Sequence, residues 1–87
     1  MSSVGAPRTP RVRLLARAGC HLCDDARAVV AAVCTELGVQ WEEREIDEDP
    51  ALLTAYAQLI PVVLVDGVEV AHWRVDPASL ADAVGGR

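Results

Sequence analysis

Residues 11–37 read RVRLLARAGCHLCDDARAVVAAVCTEL, and the change of hydrophobic period inside this stretch decides the fold class. At its start Val12 and Leu14 alternate with Arg11 and Arg13, which is the two-residue period of a β-strand. From position 22 onward the apolar residues recur at spacings of three and four, the period of an amphipathic helix. The sequence therefore predicts a strand that runs directly into a helix, with two cysteines at the junction.

The rest of the chain continues this alternation and closes it with a hairpin. The segment QWEEREI at 40–46 predicts a second strand, and the Asp-Pro pair at 49–50 has the form of a helix N-cap followed by proline at the first helical position. The Asp-Gly pair at 66–67 is a strong hairpin signal, and Asp-Pro at 76–77 predicts the start of a last helix. The order predicts an α/β fold, βαβαββα, in which helices flank a four-stranded mixed sheet on both faces.

The size and composition of the chain are those of one small domain. With 87 residues it has little room for a second module, and 52% of its residues are hydrophobic although none is Phe. We therefore expect a core of Val, Leu, Ala and Ile. Residues 1–10, rich in Ser, Gly and Pro, are expected to form a disordered lead-in, so the domain is expected to span residues 11–87.

Charge and hydropathy argue against two classes of partner. The formal net charge is −5, and the chain contains no Lys. Its arginines are dispersed along the sequence, so we expect no nucleic-acid partner. No apolar run is long enough to span a bilayer and the first ten residues lack the apolar region of a secretion signal. We therefore expect a cytoplasmic monomer that does not associate with membranes. In that reducing compartment a close cysteine pair indicates catalysis or metal binding.

Cys20 and Cys23 form a C-x-x-C motif at the predicted strand-to-helix junction. In a βαβ context this spacing is typical of a thioredoxin-like redox motif. The N-terminus of a helix stabilises a thiolate, so Cys20 is expected to be the nucleophile, and Cys23 is one turn later, placed to attack a mixed disulfide formed on Cys20. Arg17 adds positive charge nearby, whereas Asp24 and Asp25 oppose it.

Several residues around the motif keep two interpretations. A zinc site needs four ligands, and only Cys34 and His72 remain to complete one, without the spacing of a second ligand pair. Cys34 lies on the apolar stripe of the helix, which predicts a buried core thiol. His21 either stabilises the thiolate when it is protonated or caps the turn. Trp73 is expected to cover the sheet edge with Arg74 in solvent, the alternative being that both line a substrate groove.

Two segments together resemble a known family. They are LLARAGCHLCDDARAVV at 14–30 and IDEDPALLTAYAQLIPVVLVDG at 46–67. Joined in this order, the CHLC motif and the downstream Ile-Pro-Val pattern resemble the bacterial glutaredoxin-like proteins of the thioredoxin superfamily. The resemblance covers about residues 11–84, nearly the whole predicted domain.

This resemblance implies a fold and a set of site residues. The fold is the thioredoxin fold, in which Pro61 is cis and faces the turn that carries the redox pair, Cys20 and Cys23. The backbone of Ile60 would pair with the backbone of the substrate cysteine, as a short added strand. Arg17 corresponds to the basic residue that helps glutaredoxins to bind the glutathione carboxylate.

The chain also departs from the glutaredoxin pattern. Ala-His at 71–72 replaces a Gly-Gly pair, and Asp76 lies one residue later than the acidic residue that grips the γ-glutamyl end of glutathione. His-Leu at 21–22 stands between the cysteines in place of Pro-Tyr, and Leu59 replaces a Thr. These departures weaken the expectation of glutathione specificity and leave the dithiol chemistry untouched.

The resulting hypothesis is a small thiol–disulfide oxidoreductase that reduces protein or low-molecular-weight disulfides through a Cys20/Cys23 dithiol–disulfide couple. Arg17, His21, Ile60, Pro61 and Asp76 are its candidate substrate-binding residues. We expect no metal and no tightly bound cofactor, with glutathione, another small thiol or a reductase as the electron donor. Two alternatives stay open: a redox-inactive binding module with the same fold, and a relative in which cysteines from two chains hold an iron–sulfur cluster or another metal.

Overall fold

The computed structural model describes residues 10–85, so residues 1–9 of the predicted lead-in and the last two residues lie outside it. The elements follow the predicted βαβαββα order, with a short 3₁₀ turn after the second strand that the sequence pattern did not indicate. In chain order they are β1 Val12–Ala16, α1 His21–Leu37, β2 Trp41–Glu45, the 3₁₀ turn Ile46–Glu48, α2 Pro50–Tyr56, β3 Val62–Val65, β4 Val68–His72 and α3 Pro77–Gly85.

The four strands form one mixed sheet in the order β2-β1-β3-β4. Strands β1 and β2 are parallel, whereas β3 is antiparallel to both β1 and β4. The register pairs Ala16 with Glu45, Leu15 with Val62, and Val62 with His72. One end of the sheet therefore brings together the last residues of β1, β2 and β4 and the first residue of β3. The segments attached to these residues are neighbours there.

Helices cover both faces of the sheet, as predicted. Because successive strand residues point to opposite faces, β1 contributes to two separate cores. On one face Val12 and Leu14 pack with buried residues of α1 and α3, among them Val30 and Leu80. On the other face Leu15 packs in a smaller cluster against the apolar side of α2. The larger core thus anchors α1, the helix that begins at the cysteine motif.

The ends of the elements are set by the residues that the sequence indicated. Gly38 ends α1 with a left-handed φ of 68°, and its N–H donates to the last carbonyls of the helix. The side chain of Asp49 caps α2 by accepting the N–H of Ala51 at 2.9 Å. Asp66 and Gly67 both have positive φ, 53° and 84°, as a type I′ hairpin turn requires.

No helix within residues 10–85 has both the length and the apolar character needed to cross a membrane.

Candidate active site

The cysteine motif lies at the end of the sheet where β1 ends and β3 begins. Cys20 itself is the N-cap residue of α1, with extended φ and ψ of −101° and 118°. Its Sγ accepts the backbone N–H of Cys23 at 3.2 Å, and its carbonyl accepts the N–H of Asp24 at 3.1 Å. The Cys20 sulfur therefore sits at the positive end of the helix, where a thiolate is stabilised. Sequence patterns placed the helix start beside the cysteines but did not identify the thiol as the cap.

The two thiols of the motif differ in their surroundings. Cys20 is partly exposed, whereas Cys23 is fully buried in the larger core. Burial, together with the hydrogen bond to Cys20, raises the pKa of the Cys23 thiol to about 11. The backbone N–H of Arg17 and the charge of Arg27 act in the opposite direction. One thiol is thus accessible at a helix N-terminus, and the other is a protonated, inaccessible group one turn behind it.

Arg17 makes an ion pair that the sequence did not reveal. Its Nη2 donates to Asp47 Oδ1 at 2.7 Å, and its Nε lies 3.2 Å from both carboxylate oxygens. This contact lowers the pKa of the Asp47 carboxyl, chiefly through the hydrogen bond from Arg17. Asp47 lies in the 3₁₀ turn after β2, so the parallel pairing of β1 and β2 brings together two residues thirty positions apart. The only sequence signal for this pair was the predicted βαβ unit.

Arg27 carries a second ion pair close to the motif. Its Nε and Nη2 donate to the two carboxylate oxygens of Glu43 at 2.6 and 2.7 Å, and its Nη1 donates to Asp24 at 2.7 Å. The contact with Glu43 joins α1 to β2, and the contact with Asp24 lies within α1. They also place a guanidinium near enough to Cys23 to lower the pKa of that thiol, against the stronger effect of burial.

Ile60 and Pro61 lie at the same end of the sheet. The peptide bond between them is cis, and Pro61 is buried while Ile60 is partly exposed. Ile60 and Cys20 both pack against the core cluster that contains Cys23. The carbonyl of Pro61 accepts the N–H of Trp73 at 2.8 Å, which ties the segment after β4 to the start of β3. The structure therefore brings the predicted Ile60-Pro61 element and the cysteine motif together.

The segment after β4 forms one wall beside the cysteines. Trp73 has a positive φ of 63°, is 52% exposed, and donates its Nε1–H to the carbonyl of Gln58 at 3.1 Å. Its ring contacts His72 edge-on, with centroids 4.9 Å apart. Trp73 also lines a cavity of about 90 Å³ together with Leu22, the residue between the two cysteines, and with Arg74. Trp73 is thus part of the surface that borders the motif.

The sequence of the chain also matches a known family. The family described as glutaredoxin-like domain (DUF836) matches residues 11–85. The chain belongs to this glutaredoxin-like family.

The chain is also similar to other proteins and to solved structures. The glutaredoxin-like chain is 36% identical over 72 residues to the uncharacterized protein Rv0508 of Mycobacterium tuberculosis, covering 77% of this chain and 74% of that protein. It is 30% identical to protein XcR50 of X. campestris, whose X-ray structure superposes with a TM-score of 0.72 over 87% of this chain and 97% of the other. Thioredoxin of Fasciola hepatica, 20% identical, has a TM-score of 0.61 over 90% and 82% of the two chains. The fold is the thioredoxin fold, as the sequence predicted.

Three further residues that the sequence singled out in this glutaredoxin-like chain are Asp76, His21 and Cys34. Asp76 caps α3, because its Oδ2 accepts the N–H of Ser79 at 2.9 Å. His21 is the first residue of α1 and is exposed, and no hydrogen bond of its ring is found within residues 10–85. Cys34 is fully buried in the larger core, which confirms the predicted core thiol, and burial raises its pKa. Nowhere in the described part of the chain are three His, Cys, Asp or Glu side chains grouped so that they could hold a metal ion.

Proposed function

We propose that the chain is a cytoplasmic thiol–disulfide oxidoreductase that reduces disulfides through Cys20 and Cys23. The observation that carries this proposal is the difference between the two thiols: Cys20 is partly exposed at the N-cap of α1, and Cys23 is buried one turn behind it with its N–H bound to the Cys20 sulfur. An accessible cysteine at a helix N-terminus, where a thiolate is stabilised, is suited to attack a disulfide. A buried neighbouring thiol is suited to react in the second step.

The reaction then takes two exchange steps. The Cys20 thiolate attacks one sulfur of the substrate disulfide, which forms a mixed disulfide on Cys20 and releases the first substrate thiolate. The Cys23 thiolate next attacks Cys20 Sγ, which forms the Cys20–Cys23 disulfide and releases the second substrate thiolate. Two electrons pass from the dithiol to the substrate, and the two thiol protons end on the released thiols. A small thiol such as glutathione, or a reductase, returns the protein to the dithiol form.

The surroundings of Cys23 favour this order of events. Part of the rise in the Cys23 pKa comes from its hydrogen bond with Cys20 and from the negative charge of the Cys20 thiolate. Both contributions fall once Cys20 is held in a neutral mixed disulfide. The Arg17 N–H and the Arg27 charge, which favour the Cys23 thiolate, are still present at that stage. Loss of these two contributions therefore makes the Cys23 thiolate easier to form after the first step than before it, while burial, the largest cause of the raised pKa, remains.

Ile60 is proposed to align the substrate. It is a partly exposed residue just before β3 that packs, as Cys20 does, against the core cluster containing Cys23, so an extended substrate segment can pair with its backbone as an added strand. The carbonyl of the neighbouring Pro61 already accepts the N–H of Trp73, which ties this backbone to the segment after β4. An iron–sulfur cluster held by both motif cysteines of two chains fits the site less well, because it would need two accessible thiolates from each chain and Cys23 is buried.

The proposal is tested by turnover of hydroxyethyl disulfide with three electron donors in parallel: glutathione with its reductase, a second small thiol, and thioredoxin reductase. We expect turnover with at least one donor, and its loss in Cys20→Ser. Cys34→Ala is the matched control, because it removes a buried thiol outside the motif and is expected to retain turnover. Equal activity of Cys20→Ser and the wild type would contradict the proposal, and capture of a protein partner that survives loss of both motif cysteines would favour a binding module.

A further inference from the structure

Positive charge close to the two thiols is carried by two guanidinium groups, and both are engaged by carboxylates of the chain itself. Arg17 interacts electrostatically with Cys20 and Cys23, and Arg27 acts on Cys23. Arg17 is bound to Asp47, and Arg27 is bound to Glu43 and Asp24. These cations therefore act on the thiols while their charge toward solvent is largely neutralised.

The Arg17–Asp47 contact has the geometry by which an arginine would bind a carboxylate of a substrate. Nε and Nη2 form one edge of the guanidinium, and both nitrogens donate to Asp47. This edge is the one that gives two parallel hydrogen bonds to a carboxylate, the arrangement in which Arg binds carboxylates most strongly. Asp47 therefore takes the place that a carboxylate near the reacting disulfide would need.

Further exposed carboxylates belong to the elements that carry the motif and Asp47. Asp24 and Asp25 are exposed in the first turns of α1, and Asp25 lines the small cavity beside Trp73. Glu48 is exposed in the same 3₁₀ turn as Asp47. Arg74, which also lines that cavity, is an exposed cation on this surface. Among the charged side chains named in this subsection carboxylates outnumber arginines, and the formal net charge of the chain is −5.

We propose that Asp47 determines substrate specificity by occupying Arg17, so that the enzyme selects neutral or basic disulfides and disfavours disulfides that carry carboxylates beside the reacting sulfur. This inference rests on the proposed oxidoreductase function and names the class of substrate for the same site. Asp47 does not touch the reacting atoms in this account. It is a positioning residue that acts through Arg17.

The test uses single-turnover reactions of the fully reduced protein with three probes: cystamine, which is cationic, hydroxyethyl disulfide, which is neutral, and glutathione disulfide, which is anionic. Each rate is divided by the rate of the same probe with 2-mercaptoethanol, which removes the intrinsic reactivity of the probe. For the wild type we expect cystamine to be fastest and glutathione disulfide slowest at low ionic strength. The differences should shrink as salt screens the charges.

Variants separate the role of Asp47 from general electrostatics. Asp47→Asn should raise the rate with glutathione disulfide relative to hydroxyethyl disulfide by about two- to fivefold, the size expected from one exposed ion pair. Asp47→Glu should restore the wild-type ratio. Glu42→Gln is the matched control, since it makes the same change in charge and removes an Arg–carboxylate pair, that with Arg13, away from the site. It should leave the ratio unchanged.

A double variant tests whether Asp47 acts through Arg17. In the Arg17→Gln background, Asp47→Asn should no longer raise the ratio of the two rates. An unchanged ratio in Asp47→Asn, or an equal rise in Glu42→Gln, would overturn the inference while leaving the oxidoreductase function intact. If the wild type reacts with none of the three probes, it is the proposed function that fails. A circular dichroism melt of each variant confirms that the compared proteins are folded.

Discussion

At the scale of single residues, the proposed chemistry depends on a cysteine used as a helix cap. Ser, Thr, Asp and Asn usually hold this position, and their oxygen accepts a backbone N–H of the first turn. In this chain the Cys20 sulfur accepts the N–H of Cys23, so the contact that starts the helix also holds the proposed nucleophile next to the proposed resolving residue. The relative orientation of the two cysteines is therefore set by α1 itself.

The difference between the two thiols predicts selective alkylation. A short pulse of iodoacetamide at pH 8 should label Cys20 rapidly and leave Cys23 and Cys34 almost unlabelled. A thiol with a pKa of about 11 is a thiolate in about one molecule in a thousand at that pH, and Cys23 is buried as well. Peptide mass spectrometry after an acid quench measures the label on each cysteine. Labelling of Cys23 at the rate of Cys20 would show that the two environments are not different.

At the scale of elements, α1 is fixed to the sheet by its apolar face and by one paired contact to β2. Arg27 reaches from α1 to Glu43 with two short hydrogen bonds, and Glu43 is only 24% exposed. The same contact lowers the pKa of Glu43, chiefly through the hydrogen bond from Arg27. Because α1 carries both cysteines, this contact helps to hold the motif against the end of β1.

Glu43→Gln should therefore lower the free energy of unfolding by about 1 kcal/mol at neutral pH. The folded-state pKa of Glu43 is depressed, so its contribution is fully present above the ordinary glutamate pKa and is lost as the pH falls through the lower folded value. The difference in the free energy of unfolding between wild type and Glu43→Gln should accordingly disappear below about pH 4. Urea unfolding at several pH values measures it. Glu42→Gln removes the more exposed ion pair with Arg13, so it should lower the free energy of unfolding by less. A difference between wild type and Glu43→Gln that grows as the pH falls would contradict this account.

At the scale of the whole molecule, stability depends on a small aliphatic core split by the sheet. The chain has no Phe, and its largest fully buried side chains are Leu and Ile followed by Val. The larger cluster lies under α1 and α3, and the smaller one lies under α2, a seven-residue helix with no fully buried residue. Each buried leucine thus accounts for a large part of the burial that keeps the site assembled.

Leu14→Ala should consequently destabilise the protein by about 2 to 5 kcal/mol, a large share of the roughly 5 to 15 kcal/mol of a typical domain. Leu14 is fully buried in the larger core and leaves a cavity when truncated. Leu37→Ala makes the same chemical change at a residue that is 42% exposed at the end of α1, and it should cost about 0.5 kcal/mol or less. Equal shifts of the urea midpoint in the two variants would contradict the assignment of the core.

The fold of the whole molecule was largely predictable because its signals are local. The two hydrophobic periods, the caps at Asp49 and Asp76 and the hairpin turn each act within a few residues, and together they specify the order of elements. The Arg17–Asp47 pair was not predictable in the same way, because it depends on which residues follow two strands that are distant in sequence. The positive φ of Trp73 likewise has no local signal, since an aromatic residue seldom adopts it.

The position of the cysteine pair was predictable from the sequence, but the electrostatics around it were not. The C-x-x-C spacing and its place at a strand-to-helix junction indicated a redox pair, and the structure gives the two thiols unequal exposure. Whether a charged side chain near the motif is available to a substrate depends on its partners. Arg17 and Asp76, both predicted to bind substrate, are held by Asp47 and by the N-terminus of α3.

The central claim, that Cys20 attacks and Cys23 resolves, is tested most directly by the intact mass of single-cysteine variants after reaction with hydroxyethyl disulfide. The account predicts that Cys23→Ser gains one mercaptoethanol adduct, located on Cys20 by peptide mapping and removed by dithiothreitol. Wild type should instead lose two mass units as the Cys20–Cys23 disulfide closes, and Cys20→Ser should gain no rapid adduct. A stable adduct on Cys23 in Cys20→Ser, with none on Cys20 in Cys23→Ser, would contradict the assignment.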